Sequence, residues 1–142
     1  EYKEMFEKKW LNMMSKKLSL DTNHNNKEIV NDFLELMHIH KLDFTNTFIN
    51  LENNNLDDKI FKKWLNVYQN KKLLKYDKVN PVIIPRNHII EKIINESSNN
   101  NNENLYEFAE ILKNPYKKEL IKTNYFNKPK NDERVYETFC GT

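Results

Sequence analysis

Asn80-Pro81-Val82-Ile83-Ile84-Pro85-Arg86-Asn87-His88 leads directly into Ile89-Ile90-Glu91-Lys92-Ile93-Ile94. Each proline biases the residue before it, Asn80 and Ile84, toward an extended backbone. The apolar trio between them therefore predicts a stiff connector with a buried middle. Pro85 has a φ suited to the first turn of a helix and loses no helical hydrogen bond there, so a helix is expected to begin at or near it. Arg86, Asn87 and His88 then stand at a helix N-terminus. Two readings of them are open: side chains that tie neighbouring loops together by hydrogen bonds, or an anion site in which Arg86 is helped by the free amides of the helix end.

Upstream of this connector the apolar residues recur at helical spacing. Tyr2, Phe6, Trp10, Met13, Met14 and Leu18 form one wide stripe over residues 2 to 18, which predicts a helix with a single buried face. The uncapped start at Glu1 suggests a piece of a longer polypeptide. Asn25 and Asn26 are candidate caps for a second helix carrying Ile29, Val30, Phe33, Leu34, Met37 and His40, to about residue 40. Asp43 is a cap candidate for a short helix from Phe44 to Leu51 that buries Phe44, Phe48 and Leu51, and Asp57 and Asp58 place negative charge at the start of another whose apolar face is Ile60, Phe61, Trp64, Leu65 and Tyr68. Trp64 is expected to be a core anchor with a satisfied N–H.

Downstream, Ser97 to Asn104 is expected to be a flexible excursion. A last helix, about Leu105 to Leu112, stops before Pro115. Beyond Asn114 the aromatics lose any steady period and read as a tail pinned at intervals. The fold class expected is therefore all-α, with about five or six amphipathic helices: a helical bundle over 1–113 and an extended, aromatic-rich tail over 114–142.

Composition supports that class. A single glycine leaves few places for tight turns with positive φ, which disfavours hairpins and barrels. Charged residues make up 31% of the 142 positions but nearly cancel, 23 basic against 21 acidic, and are spread along the chain. Nucleic-acid binders usually concentrate Lys and Arg on one face. No nucleic-acid partner is therefore expected, although Lys71, Lys72, Lys75 and Lys78 form the densest basic patch, read as a solvated loop. No apolar run approaches the roughly 20 residues of a membrane span, so no membrane partner is expected either. One cysteine fits an intracellular reducing compartment. The asparagine runs at 53 to 55 and 99 to 102 read as tolerated low-complexity loops.

Few residues carry recognisable chemistry. His38 and His40 are two apart and point away from each other on a helix, His24 sits in an asparagine-rich loop, and no metal site is expected. With Gly141 the only glycine, a nucleophile elbow, a P-loop and a dinucleotide fingerprint are all excluded. No catalytic or cofactor-binding residue is assigned. Cys140, third from the end, is either a reachable redox-active thiol or an incidental one; its acidic neighbours, Glu137 and the terminal carboxylate, would if anything raise its pKa and slow it.

Four stretches together resemble the selenoprotein O family: Val79 through Glu91, Leu42 through Phe48, Trp64 with Tyr68, and the tail Tyr136-Glu137-Thr138-Phe139-Cys140-Gly141-Thr142. They fall in the family's order and match the C-terminal portion of a much longer protein. The resemblance implies the C-terminal part of a kinase-like fold, in a protein adenylyltransferase that uses ATP with Mg or Mn to place AMP on Ser, Thr or Tyr hydroxyls of protein substrates. It implies that the nucleotide- and metal-binding residues lie upstream, in a kinase-like domain against which this chain packs. Cys140 matches the family's terminal selenocysteine or cysteine, which in some members pairs with an activation-loop cysteine until reduced. Asn80, Pro81, Pro85, Arg86, Asn87 and His88 match a structural motif. Members occur in bacterial cytoplasm and in mitochondria. The competing expectation, from the residues alone, is a free-standing helical interaction module without catalysis; a weaker one is RNA binding through the lysines at 71 to 78.

Overall fold

A computed structural model describes residues 1–74 and 78–133, and the described residues are all-helical. Six α-helices follow one another: α1 (Tyr2–Lys17), α2 (Lys27–Ile39), α3 (Phe44–Glu52), α4 (Asp58–Tyr68), α5 (Asn87–Ser98) and α6 (Glu103–Lys113). The chain forms two compact units, Glu1–Asn80 and Pro81–Thr142.

The first unit is built on an aromatic cluster. Phe33 of α2 is fully buried and meets Phe48 of α3 at 5.2 Å, Phe61 of α4 at 5.4 Å and Trp64 of α4 at 4.6 Å between ring centroids. Tyr68 stacks on Trp64 at 4.5 Å. Edge and offset contacts of this kind add about 0.5–1.5 kcal/mol per pair beyond the area they bury. The two polar handles in the cluster are satisfied across it: Trp64 Nε1 donates to the Ile29 carbonyl at 2.8 Å, as expected of a core anchor, and the Tyr68 hydroxyl donates to the Leu18 carbonyl at 2.9 Å. Each bond ties α4 to a different helix end.

The cap expectations divide. Asp43 accepts from the Asn46 amide at 2.8 Å and Asp57 from the Lys59 amide at 2.9 Å, as their positions before α3 and α4 predict. Asn25 accepts from the Lys27 amide at the start of α2 at 3.1 Å, whereas Asn26, which directly precedes α2, makes no side-chain cap. The Asn26 amide instead donates to Ser15 Oγ at 3.0 Å and to the Asp21 carbonyl at 2.9 Å, bracing α1 against the start of α2 from a buried position.

α1 departs from its reading as a helix with one apolar face. Met14 and Leu18 are buried and Trp10 and Leu11 pack partly on the core, whereas Tyr2, Met5, Phe6 and Met13 stay in solvent at 78%, 50%, 58% and 47% exposure. The stripe is wide enough to wrap past the contact line, so only part of it reaches the neighbouring helices.

Scarcity of glycine does not keep the chain from positive φ. Ser19, Lys41, Asn54 and Asn100 all take it, and each stands two residues past the end of a helix, α1, α2, α3 and α5 respectively. All four ends close with the same pair of reverse hydrogen bonds, for example Lys41 N–H to the His38 carbonyl and Leu42 N–H to the Met37 carbonyl. This is the Schellman arrangement, usually served by glycine. Asparagine tolerates that backbone better than other non-glycine residues, which gives the asparagine runs a structural job. Asn53 and Asn99 also donate their side-chain amides to carbonyls four residues back, at 2.7 and 3.0 Å. Asn99 to Asn102 is accordingly the connection between α5 and α6, shorter than the excursion expected from Ser97 to Asn104. Lys41 lacks asparagine's advantage, so Lys41→Gly is expected to stabilise the chain by about 1 kcal/mol. The urea midpoint measures this, and an unchanged or lower midpoint refutes it.

In the second unit α5 and α6 form a helical hairpin, and Phe108 of α6 stacks on Tyr125 at 5.0 Å. Residues 114–133, the described part of the expected tail, hold three short 3-10 helices, Lys118–Lys122, Asn124–Phe126 and Asn131–Glu133. Extended residues at Thr123 and Asn127 flank the second of these.

Candidate functional site

The connector is where the sequence reading placed its motif, and its two ends do different work. Asn80, 4% exposed, closes the first unit. Its amide donates to the Lys17 carbonyl at 2.8 Å and to Glu52 Oε1 at 2.6 Å, and its Oδ1 accepts from Lys17 Nζ at 3.0 Å. One side chain thus joins the C-terminal ends of α1 and α3. Lys17 also lies over the Phe48 and Phe44 rings, 5.1 and 5.7 Å from their centroids, a cation–π placement. Burial holds its pKa below the usual lysine value, and the Glu52 carboxylate opposes that shift. Lys17 and Glu52 were not anticipated from sequence, because they lie 63 and 28 residues from Asn80.

Pro81 opens the second unit. Val82 and Ile83 are buried, as expected for the middle of the connector, and both donate backbone N–H groups to the Pro115 carbonyl, at 2.8 and 3.2 Å. The backbone stays extended through Arg86, so α5 starts at Asn87, two residues after Pro85, and Pro85 stands outside the helix. Arg86 caps it through the backbone only, its carbonyl accepting from Ile89 and Ile90 N–H groups at 3.0 Å each.

His88, in the first turn of α5, is partly buried beside Glu133 and Arg86 and hydrogen-bonds with the backbone of Asn127. This matches the reading in which the motif ties loops together. Burial is the largest influence on its pKa and lowers it; Arg86 lowers it further, while Glu133 and the Asn127 backbone pull the other way. The unfolded chain therefore holds the proton more tightly than the folded one. Stability from this group is present above the ordinary value of 6.5 and is lost as pH falls through the depressed one. The urea midpoint is expected to drop on acidification by an increment that His88→Gln removes. An identical pH dependence in the two proteins would contradict it.

A second feature of this unit was invisible in the sequence. A cavity of about 350 Å³ is lined by residues of α5, α6 and the 3-10 segment, among them Lys92, Glu96, Asn104, Glu107, Lys122 and Tyr125. Asn104 donates to Glu96 Oε2 at 2.7 Å. Burial, with the carboxylates of Glu107 and Glu96 nearby, pushes the Tyr125 phenol up and keeps it protonated. Tyr125 is one of the aromatics beyond Asn114 whose spacing carries no period.

The remaining candidates scatter. His24 pairs with Asp21 at 3.3 Å, and His38 and His40 are exposed at the end of α2. Among the described residues no three His, Cys, Asp or Glu side chains gather into a group able to hold a metal ion, and no helix is long and apolar enough to cross a membrane. Lys71 and Lys72 follow the end of α4, while Lys75 and Cys140 lie outside the described residues.

No family model and no solved structure matches the chain. Curated proteins do. It is 33% identical to the protein nucleotidyltransferase YdiU of Nitrosococcus oceani over 99% of its own length and 32% of that protein. It is 32% identical to the YdiU of Clostridium perfringens over the same shares, and 32% identical to that of Bacillus cereus over 96% of this chain and 32% of the relative. The chain thus spans about a third of the length of the curated relatives it matches. On these matches the chain is a relative of the protein nucleotidyltransferases named YdiU, and the relationship to the selenoprotein O family first read from four stretches of its sequence stands.

Proposed function

We propose that this chain is the helical C-terminal part of a protein adenylyltransferase of the selenoprotein O kind, packing against a kinase-like domain that carries the chemistry. The observation that supports the reading is the match itself: nearly every residue of the chain aligns with relatives named protein nucleotidyltransferases, yet it accounts for a third of their length. In the proposed reaction a Ser, Thr or Tyr hydroxyl of a protein substrate attacks the α-phosphorus of ATP, pyrophosphate leaves, and AMP stays on the hydroxyl. ATP and Mg or Mn belong to the longer protein. Among the described residues no group of His, Cys, Asp or Glu side chains gathers that could hold a divalent metal.

This chain contributes the Asn80 brace and the motif from Pro81 to His88 as structural support. Cys140 is proposed as a redox latch that pairs with a cysteine elsewhere in the polypeptide, since the chain has one cysteine. Incubating the 142-residue chain with Mg-ATP labelled on the α-phosphate and a protein acceptor is expected to leave the acceptor unlabelled, whereas a polypeptide that includes the rest of the relatives' length labels it. Label transferred by the chain alone, or none by the longer polypeptide, overturns the reading. In the longer polypeptide, Cys140→Ser is expected to abolish any dependence of labelling on added dithiol; a dependence that persists removes the latch.

A further inference from the structure

α1 is apolar on two sides. At about 100° per residue, Leu11, Met14 and Leu18 fall on the side that meets the core, while Tyr2, Phe6 and Met13 lie within about 40° of one another on the opposite side. Trp10 stands between the two groups, so the apolar band passes round much of the helix. Residues 1–9 are all exposed, and about two turns of the helix therefore bury nothing among the described residues. A helical segment of that length is marginal in water by itself, and a helix that is apolar on opposite sides belongs between two layers of structure. An open groove of about 670 Å³, with Met5, Met13 and Val79 in its lining, runs along the same outward side and leaves room for side chains from a covering layer.

We propose that the outward side of α1, formed by Tyr2, Met5, Phe6 and Met13, is an internal interface covered by the part of the polypeptide that lies outside these 142 residues. About two thirds of the length of the relatives falls outside the matched stretch, which supplies the chain that such a cover needs. The assignment rests on reading this chain as one part of a longer adenylyltransferase, and it names the face through which that part is joined. The solvent exposure of these residues, 78% for Tyr2 and 58% for Phe6, is then the exposure of a cut interface, and the uncovered first turns of α1 gain the second layer that the core does not give them.

Oxidation of methionine reads this face without reference to activity. The four methionines divide into an exposed pair, Met5 and Met13, and a buried pair, Met14 and Met37. Dilute hydrogen peroxide transfers one oxygen to a thioether, giving the sulfoxide and water, and mass spectrometry of peptides follows each site. In the 142-residue chain Met5 and Met13 are expected to oxidise at least tenfold faster than Met14 and Met37. In a polypeptide that includes the rest of the relatives' length, both are expected to slow at least tenfold, at every protein concentration. Equal rates at Met5 and Met13 in the two polypeptides overturn the proposal. Slow oxidation already in the 142-residue chain overturns it too, since the cover then comes from within the chain or from a second copy. So does protection in the longer polypeptide that dilution removes, which makes a second copy the cover. Phe6→Glu is a second measure: the melting temperature is expected to stay nearly unchanged in the 142-residue chain, where the ring is exposed, and to fall in the longer polypeptide. No fall in the longer polypeptide overturns the proposal. Failure of the transfer reading shows separately, as an acceptor left unlabelled by a longer polypeptide in which Met5 and Met13 are protected.

Discussion

Phe33→Ala is expected to cost the first unit about 3–5 kcal/mol, the range for removing a buried phenylalanine without collapse of the space it leaves. Phe33 is fully buried and meets three other rings, from α3 and α4, so its removal strips partners from Phe48, Phe61 and Trp64 together. A domain of ordinary stability holds only about 5–15 kcal/mol in total. The melting temperature should therefore fall by roughly 12 °C or more. Leu at the same position restores most of the volume and is expected to recover more than half of the loss. A fall in stability of less than about 1 kcal/mol for the alanine variant would mean that the cluster is not the mechanical centre assigned to it.

Asn80→Leu is the second large effect, and it works by a different route. The volume is kept and the apolar character raised, but three hydrogen bonds disappear, two of them to the charged groups of Lys17 and Glu52. Hydrogen bonds to charged groups contribute about 1.5–3 kcal/mol each, and a buried group that loses its partner bears its desolvation cost. These bonds share one residue and do not add independently, so the expected loss is about 2–4 kcal/mol, estimated from those ranges. Chemical denaturation measures it. The control is Lys17→Met, which removes the cation and leaves the other two bonds in place, and which should cost less. If Asn80→Leu is neutral, the connector owes its placement to the prolines alone and Asn80 is a passenger.

What could be read locally was read well where one helical turn decides the outcome. The periods of α2 and α4, the Asp43 and Asp57 caps and the burial of Trp64 all follow from contacts between residues three and four apart, or from a side chain reaching an amide in the next turn, whereas in α3 Phe48 and Leu51 are buried as expected and Phe44 is 47% exposed. The asparagine runs were underread. They look like low complexity in the sequence, but a helix end needs a residue that accepts positive φ, and in a chain with one glycine asparagine supplies it at Asn54 and Asn100. Ser19 and Lys41 carry no such signal at all; the reverse hydrogen bonds at the ends of α1 and α2 hold them there.

The amino-acid sequence determined that this chain is helical, roughly where each helix starts and stops, and which family it is related to, because spacing, caps and motif order are all properties of neighbours along the chain. Tertiary structure alone decided which part of the α1 stripe is core and which is solvent, and that Asn80 would find Lys17 and Glu52. It also decided that Tyr125 would lie against Phe108 beside Glu107. A helical stripe states only that a residue could be buried; the position of the neighbouring helix determines whether it is. A buried polar group must find a partner, and no local pattern specifies one that lies tens of residues away.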